Sequence, residues 1–149
     1  MSTPIPPLPR NQRTIDEEQL NLLAIFHFVG AGLALLGILF LLGHFAIFHA
    51  VFANPKMWEN QKPMPGPSPQ DFFAIFQWFY VVFGLWFLAS AVLNVMSGFY
   101  LRARKRRTFS LVVAAVNCLH LPLGTLLGVF TIIALVRESV LQLYEESGG

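Results

Sequence analysis

Charge is scarce in this chain: charged residues make up 12% of its 149 positions, about half the share of an ordinary soluble domain. Ten Lys and Arg against eight Asp and Glu leave a net charge of +2, too small and too localised for a nucleic-acid partner. A single cysteine excludes an internal disulfide framework and any zinc or iron–sulfur site built from this chain's own thiols. The apolar stretches hold no carboxylate, on which small four-span drug exporters rely. They also lack the charged rings or carbonyl filter loops of ion channels. Paired aspartates, a serine placed to reach a membrane histidine, and HExxH, any of which intramembrane hydrolysis needs, are absent too. No enzyme is expected from such a chain.

What is present is apolar: 55% hydrophobic residues, 14% aromatic, and a mean hydropathy of +0.59. The few charges leave three gaps, Gln19–Pro55, Phe72–Leu101 and Thr108–Val136. A helix needs about 20 mainly apolar residues to cross a hydrocarbon core of ~30 Å, and every gap exceeds that. A charge at a helix centre costs about 2.5–3.5 kcal/mol on insertion scales, so a bilayer selects for such gaps. The expected class is an all-α membrane protein, a small bundle of four membrane segments at about 20–42, 72–100, 107–121 and 124–137. Pro122, the only proline inside an apolar stretch, divides the third gap. Followed by Gly124 it reads as the turn of a hairpin, and the alternative is three spans with the last kinked at Pro122.

The first crossing is read as ending near Leu42, with Gly43–Ala53 continuing as a helical extension or lying at the interface. Thr14-Ile15-Asp16-Glu17 fits a capping box, and Asp16, Glu17 and Glu18 suit the positive end of a helix dipole. Residues 1–14 read as a Pro-rich, flexible arm, 15–141 as the transmembrane helical domain with a Pro-rich outer loop at 54–70, and 142–149 as an acidic tail. Nineteen residues precede the apolar run, its near flank is acidic, and no small-x-small site follows, so it does not read as a cleavable signal peptide.

Orientation follows from the loop holding Arg102, Arg104, Lys105, Arg106 and Arg107, which the positive-inside rule places in the cytoplasm. The N-terminus is then cytoplasmic, and a hairpin at Pro122 returns Arg137 and the C-terminus to the same side. The same basic loop also suits anionic lipid head groups.

Polar residues within the membrane are functional candidates. Counted inward from the cytoplasmic ends, His27, Asn94 and Thr131 fall at one depth and can meet in interhelical hydrogen bonds; the sharper role for His27 is a ligand, proton or cofactor site. His44, His49 and His120 map to the outer side, where imidazoles can hold a metal or clamp a haem iron. His44 and His49, five residues apart, do not share a helical face. The cofactor-ligand candidates are His27, His44 and His120, for haem; no dedicated metal site is expected. Gly30, Ala34 and Gly37 form a small-residue stripe, and Gly124 with Gly128 a GxxxG, both suited to close helix packing.

The stretch CLHLPLGTLLGVFTIIALVRESV (Cys118–Val140), the preceding RARKRRTFSLVVAAVN and the early LLAIFHFV resemble an uncharacterised family of small bacterial polytopic inner-membrane proteins. Such proteins carry a histidine in a short first span, an arginine-rich loop and a Pro-Leu-Gly-Thr-x-x-Gly ending. The likeness covers most of residues 20–140 and implies a bacterial inner-membrane location without an attached activity. The Pro-rich outer loop is longer than the resemblance leads one to expect. Three readings of function follow: a noncatalytic accessory or scaffold subunit, bound to membrane lipids and to other membrane-protein subunits or to itself; a histidine-ligated haem or metal protein in electron transfer; and a small transporter or channel.

Overall fold

A computed structural model describes residues 10–54, 56, 58, 59, 66 and 68–148. Five α-helices follow one another, α1 (Arg10–Phe52), α2 (Pro69–Ala103), α3 (Arg107–Asn117), α4 (Leu123–Leu135) and α5 (Glu138–Glu146), and there is no strand among the described residues. Two of them, α1 and α2, are long and apolar enough to cross a membrane, or three if α4 and α5, bent by 73° from one another, count as one. The 11 residues of α3 and 13 of α4 rise about 16 and 20 Å, short of a ~30 Å core. The all-α membrane class therefore stands, while the helix lengths do not provide four full spans.

The chain reverses at Pro122. Arg107 at the start of α3 donates from Nε to the carbonyl of Leu135 at the end of α4, at 2.7 Å, and Gly124 at the start of α4 sits against Asn117 at the end of α3. The two helices are thus antiparallel arms, not one helix kinked at Pro122. Thr125 ties the turn by donating its hydroxyl to the Cys118 carbonyl at 2.9 Å. Arg107 satisfies one of the carbonyls that every helix C-terminus leaves without an intrahelical donor.

The beginning of α1 departs from the expected cap. Residues 10–14 are helical, so Thr14 lies inside the helix, where its hydroxyl donates back to the Arg10 carbonyl at 3.0 Å, as Thr does when the four-residue turn is already formed. The proposed arm thus loses residues 10–14 to α1; residues 1–9, and most of the 54–70 loop, lie outside the described residues. The capping box belongs instead to α2. The Ser68 backbone N–H and hydroxyl both donate to Asp71 Oδ2, at 2.8 and 2.7 Å, and the Asp71 N–H donates to Ser68 Oγ, with Pro69 as the first helical residue. The extension beyond Leu42 is helical, since α1 runs unbroken to Phe52.

The chain forms two units, Met1–Ala31 with Val92–Gly149, and Gly32–Ala91. In the first, the buried positions Asp16, Leu20, Ala24 and His27 recur every three or four residues along α1, as do Asn94, Ser97 and Leu101 along α2, one stripe per helix. Leu20, Leu101, Leu135, Leu143 and Tyr144 form its apolar core, so α5 packs back on the helices despite its polar composition. The second unit is an antiparallel pair cemented by rings. Phe87 fills the space above Gly37, Phe45 stands edge-on to Tyr80, and Phe73 stacks on Phe52, which also stacks on Trp58.

At Gly128 the arms of the hairpin touch. A Cβ there would collide with the Ala114 carbonyl oxygen and come within 2.6 Å of Cys118 Sγ, and backbone cannot move aside as a flexible side chain can. Overpacking of this kind costs about 1–3 kcal/mol. Gly128→Val should therefore lower the melting temperature of the detergent-solubilised protein by several degrees. Gly43→Ala, at a position with nothing within 4 Å, should leave it unchanged; equal melting of the two variants would contradict the close contact.

Candidate functional site

His27 is fully buried on α1, and each of its ring nitrogens faces a polar side chain from a different helix. Nδ1 lies 2.9 Å from Asn94 Oδ1 on α2, and Nε2 lies 3.3 Å from Thr131 Oγ1 on α4. Asn94 and Asn117 on α3 pair amide to amide: Asn94 Nδ2 donates to Asn117 Oδ1 at 3.0 Å, and Asn117 Nδ2 donates to Asn94 Oδ1 at 2.8 Å. All four residues are buried. The cluster assigns its own protons. Because Asn94 Oδ1 only accepts, His27 Nδ1 carries the hydrogen; Nε2 then accepts from the Thr131 hydroxyl. A neutral imidazole satisfies every partner with no buried charge.

Small neighbours let the helices approach closely enough for these bonds. Gly30, one turn from His27, lies beneath Asn94, where a Cβ would make an ordinary 3.6 Å contact with Oδ1. Ala34 is buried. At Gly98 a Cβ would press on the Phe28 ring at 2.8 Å, and at Gly124 it would collide with His120 Cβ. Each small residue of the sequence stripes thus meets a neighbour, with the tightest contacts inside the α3–α4 hairpin.

The other candidate ligands have different surroundings. In the second unit, His44 Nδ1 is 2.6 Å from Tyr80 Oη, and its ring stacks on Phe48 at 4.3 Å. His49 packs against Phe45 and Phe73. In the first unit, His120 sits in the turn with Nδ1 3.4 Å from the Val116 carbonyl of α3. Among the described residues no group of three or more His, Cys, Asp or Glu is placed to hold a metal ion.

Beside the first unit's apolar core lies an ionic cluster that the sequence reading passed over. Asp16 is fully buried; it accepts from Gln12 Nε2 at 3.1 Å and from Arg137 Nη1 at 3.1 Å. Glu17 binds Arg13 and Arg104, both at 3.2 Å, and Arg13 also reaches Glu146 at 3.1 Å. The start of α1 is thereby tied to the basic loop, to the α4–α5 elbow and to the end of α5. The exposed pairs contribute about 0–1 kcal/mol each. Asp16 differs, since an unpartnered buried carboxylate is strongly destabilising. Asn117 was also missed: it lies in an apolar run and was visible as a polar intruder, but only the shortness of the hairpin arms brings it level with Asn94.

Compared with known proteins, the chain matches no family model, and no curated protein or solved structure matches it.

The two ends of the network differ in consequence. Asn94→Leu leaves His27 Nδ1 and both amide atoms of Asn117 buried without these partners, whereas Thr131→Val leaves only His27 Nε2 so, and each such buried group costs about 1–3 kcal/mol. In an SDS unfolding titration Asn94→Leu should shift the midpoint several times further than Thr131→Val. Equal shifts would mean that the amide pair does not hold the helices.

Proposed function

We propose that this protein is a noncatalytic integral membrane protein, an accessory or scaffold subunit that docks its helices on larger membrane subunits or on copies of itself. The observation that carries the reading is the use of the buried polar groups: both His27 nitrogens are spent on neighbouring helices, so the cluster fastens helices and offers no open base or ligand position. Large apolar side chains meanwhile face outward along α1 and α2, among them Leu39, Phe40, Trp78 and Val82, a surface for lipid or for partner helices. The haem reading has less support, because ligation by His27 would break its bond to Thr131.

The topology belongs to this proposal. The protein sits in the bacterial inner membrane with α1 and α2 as spans, and the third and fourth segments are the short arms of the α3–α4 hairpin, entering from the cytoplasmic side and returning. Leu119, Leu121 and Leu123 at its tip are exposed, Leu121 by 82%, as suits a tip in hydrocarbon. The Arg13–Glu146 pair supports N- and C-terminal ends on one side, and the basic loop makes that side cytoplasmic.

In a Cys118→Ala background, Ser147→Cys should resist a membrane-impermeant thiol reagent in intact cells and react after permeabilisation, while Leu121→Cys should resist in both. Labelling of Leu121→Cys in intact cells would instead mean that the hairpin crosses. For the function, the tagged protein extracted from its native host in mild detergent should bring larger membrane subunits at stoichiometric yield, identified by mass spectrometry. Recovery of a monomer alone would overturn the reading, and a Soret band in that preparation would replace it with the haem one.

A further inference from the structure

The basic loop divides its cations into two kinds. Arg104 is neutralised by Glu17, and Arg107 is consumed by the Leu135 carbonyl. Arg102, Lys105 and Arg106 have no ion-pair partner among the described residues, and the two arginines rest on aromatic rings instead. The Arg102 guanidinium lies 5.9 Å from the Phe28 ring centroid; that of Arg106 lies 5.3 Å from the Tyr100 ring, with Nη1 donating to Tyr100 Oη at 3.2 Å. A ring face orients a guanidinium and attracts it weakly, but it does not supply the anion that a fixed positive charge beside an apolar surface calls for.

The surface around these cations is apolar. Phe28 stands edge-on to Phe99 at 5.2 Å, and Phe99 is 59% exposed. Tyr100 in turn meets Phe109 edge-on at 5.2 Å. Pinned cations bordering exposed rings at the end of a membrane helix match one class of ligand, with an anionic head and apolar tails. We infer that Arg102, Lys105 and Arg106 form a headgroup rim for anionic phospholipid, with the phosphodiester beside the cations and the acyl chains along Phe99. Arg104 and Arg107 take no part, being already occupied within the fold. This assignment is independent of the accessory-subunit reading.

The test is a lipid titration of the purified full-length chain in detergent, read by native mass spectrometry, with phosphatidylglycerol and phosphatidylcholine of identical acyl chains. The wild type should prefer phosphatidylglycerol. The combined Arg102→Gln, Lys105→Gln, Arg106→Gln variant should bind it on the order of 100-fold more weakly, and Lys105→Gln alone about fivefold more weakly, the single variant serving if the triple one is not monodisperse. Phosphatidylcholine binding should not change, and Arg10→Gln, at an exposed position on the first turn of α1, should leave both affinities intact. Equal affinity of the wild type for the two lipids, or undiminished phosphatidylglycerol binding by the variants, would overturn the rim. Detergent carries no membrane sidedness, so a role of the loop in orientation alone predicts no lipid preference.

Discussion

An imidazole shut away from water must find a partner for each ring nitrogen, and the arrangement of the first unit follows from that requirement at His27. Its Nδ1 is met from α2 and its Nε2 from α4, while the second asparagine comes from α3. The hairpin must therefore penetrate far enough for Asn117 and Thr131 to reach this depth. Close approach is the second condition, met by Gly98 and Gly128, where an added Cβ would press on the Phe28 ring and on the Ala114 carbonyl oxygen. Without a hydrophobic driving force between helices in lipid, such packing and such hydrogen bonds are what remains to associate them.

The charged end obeys different physics. Most of its charged side chains are open to solvent, so most of its ion pairs contribute little singly, yet they select one arrangement of chain ends. Asp16 fixes Arg137 at the elbow between α4 and α5, Glu17 fixes Arg104, and Arg107 closes the base of the hairpin. What these contacts leave over, Arg102, Lys105 and Arg106, is a residue of positive charge facing outward. Internal pairing thus decides which part of a uniformly basic loop is available to a lipid.

Much of this was readable in the residues. The charge-free gaps locate α1 and α2, and counting inward from the charged ends of the apolar stretches puts His27, Asn94 and Thr131 at one depth, where the structure joins them. Local signals served less well. Thr14-Ile15-Asp16-Glu17 has the composition of a capping box, but α1 already includes Arg10, so those side chains have other duties. Ser68-Pro69-Gln70-Asp71, which does cap α2, lay hidden in a Pro-rich loop. Cap motifs are short and occur by chance, so the position of the helix decides which of them is used.

By itself the sequence determined that the chain is helical and suited to a membrane, because insertion cost is summed residue by residue along a segment and needs no knowledge of neighbours. Only the tertiary structure decided that α3 and α4 are antiparallel short arms, that Asn117 joins His27's network, and that Asp16 is buried against Arg137, 121 residues away. Those outcomes depend on distances between side chains remote in the chain. Such distances are set by how closely small residues let the helices pack, a property of pairs of surfaces and of no single segment.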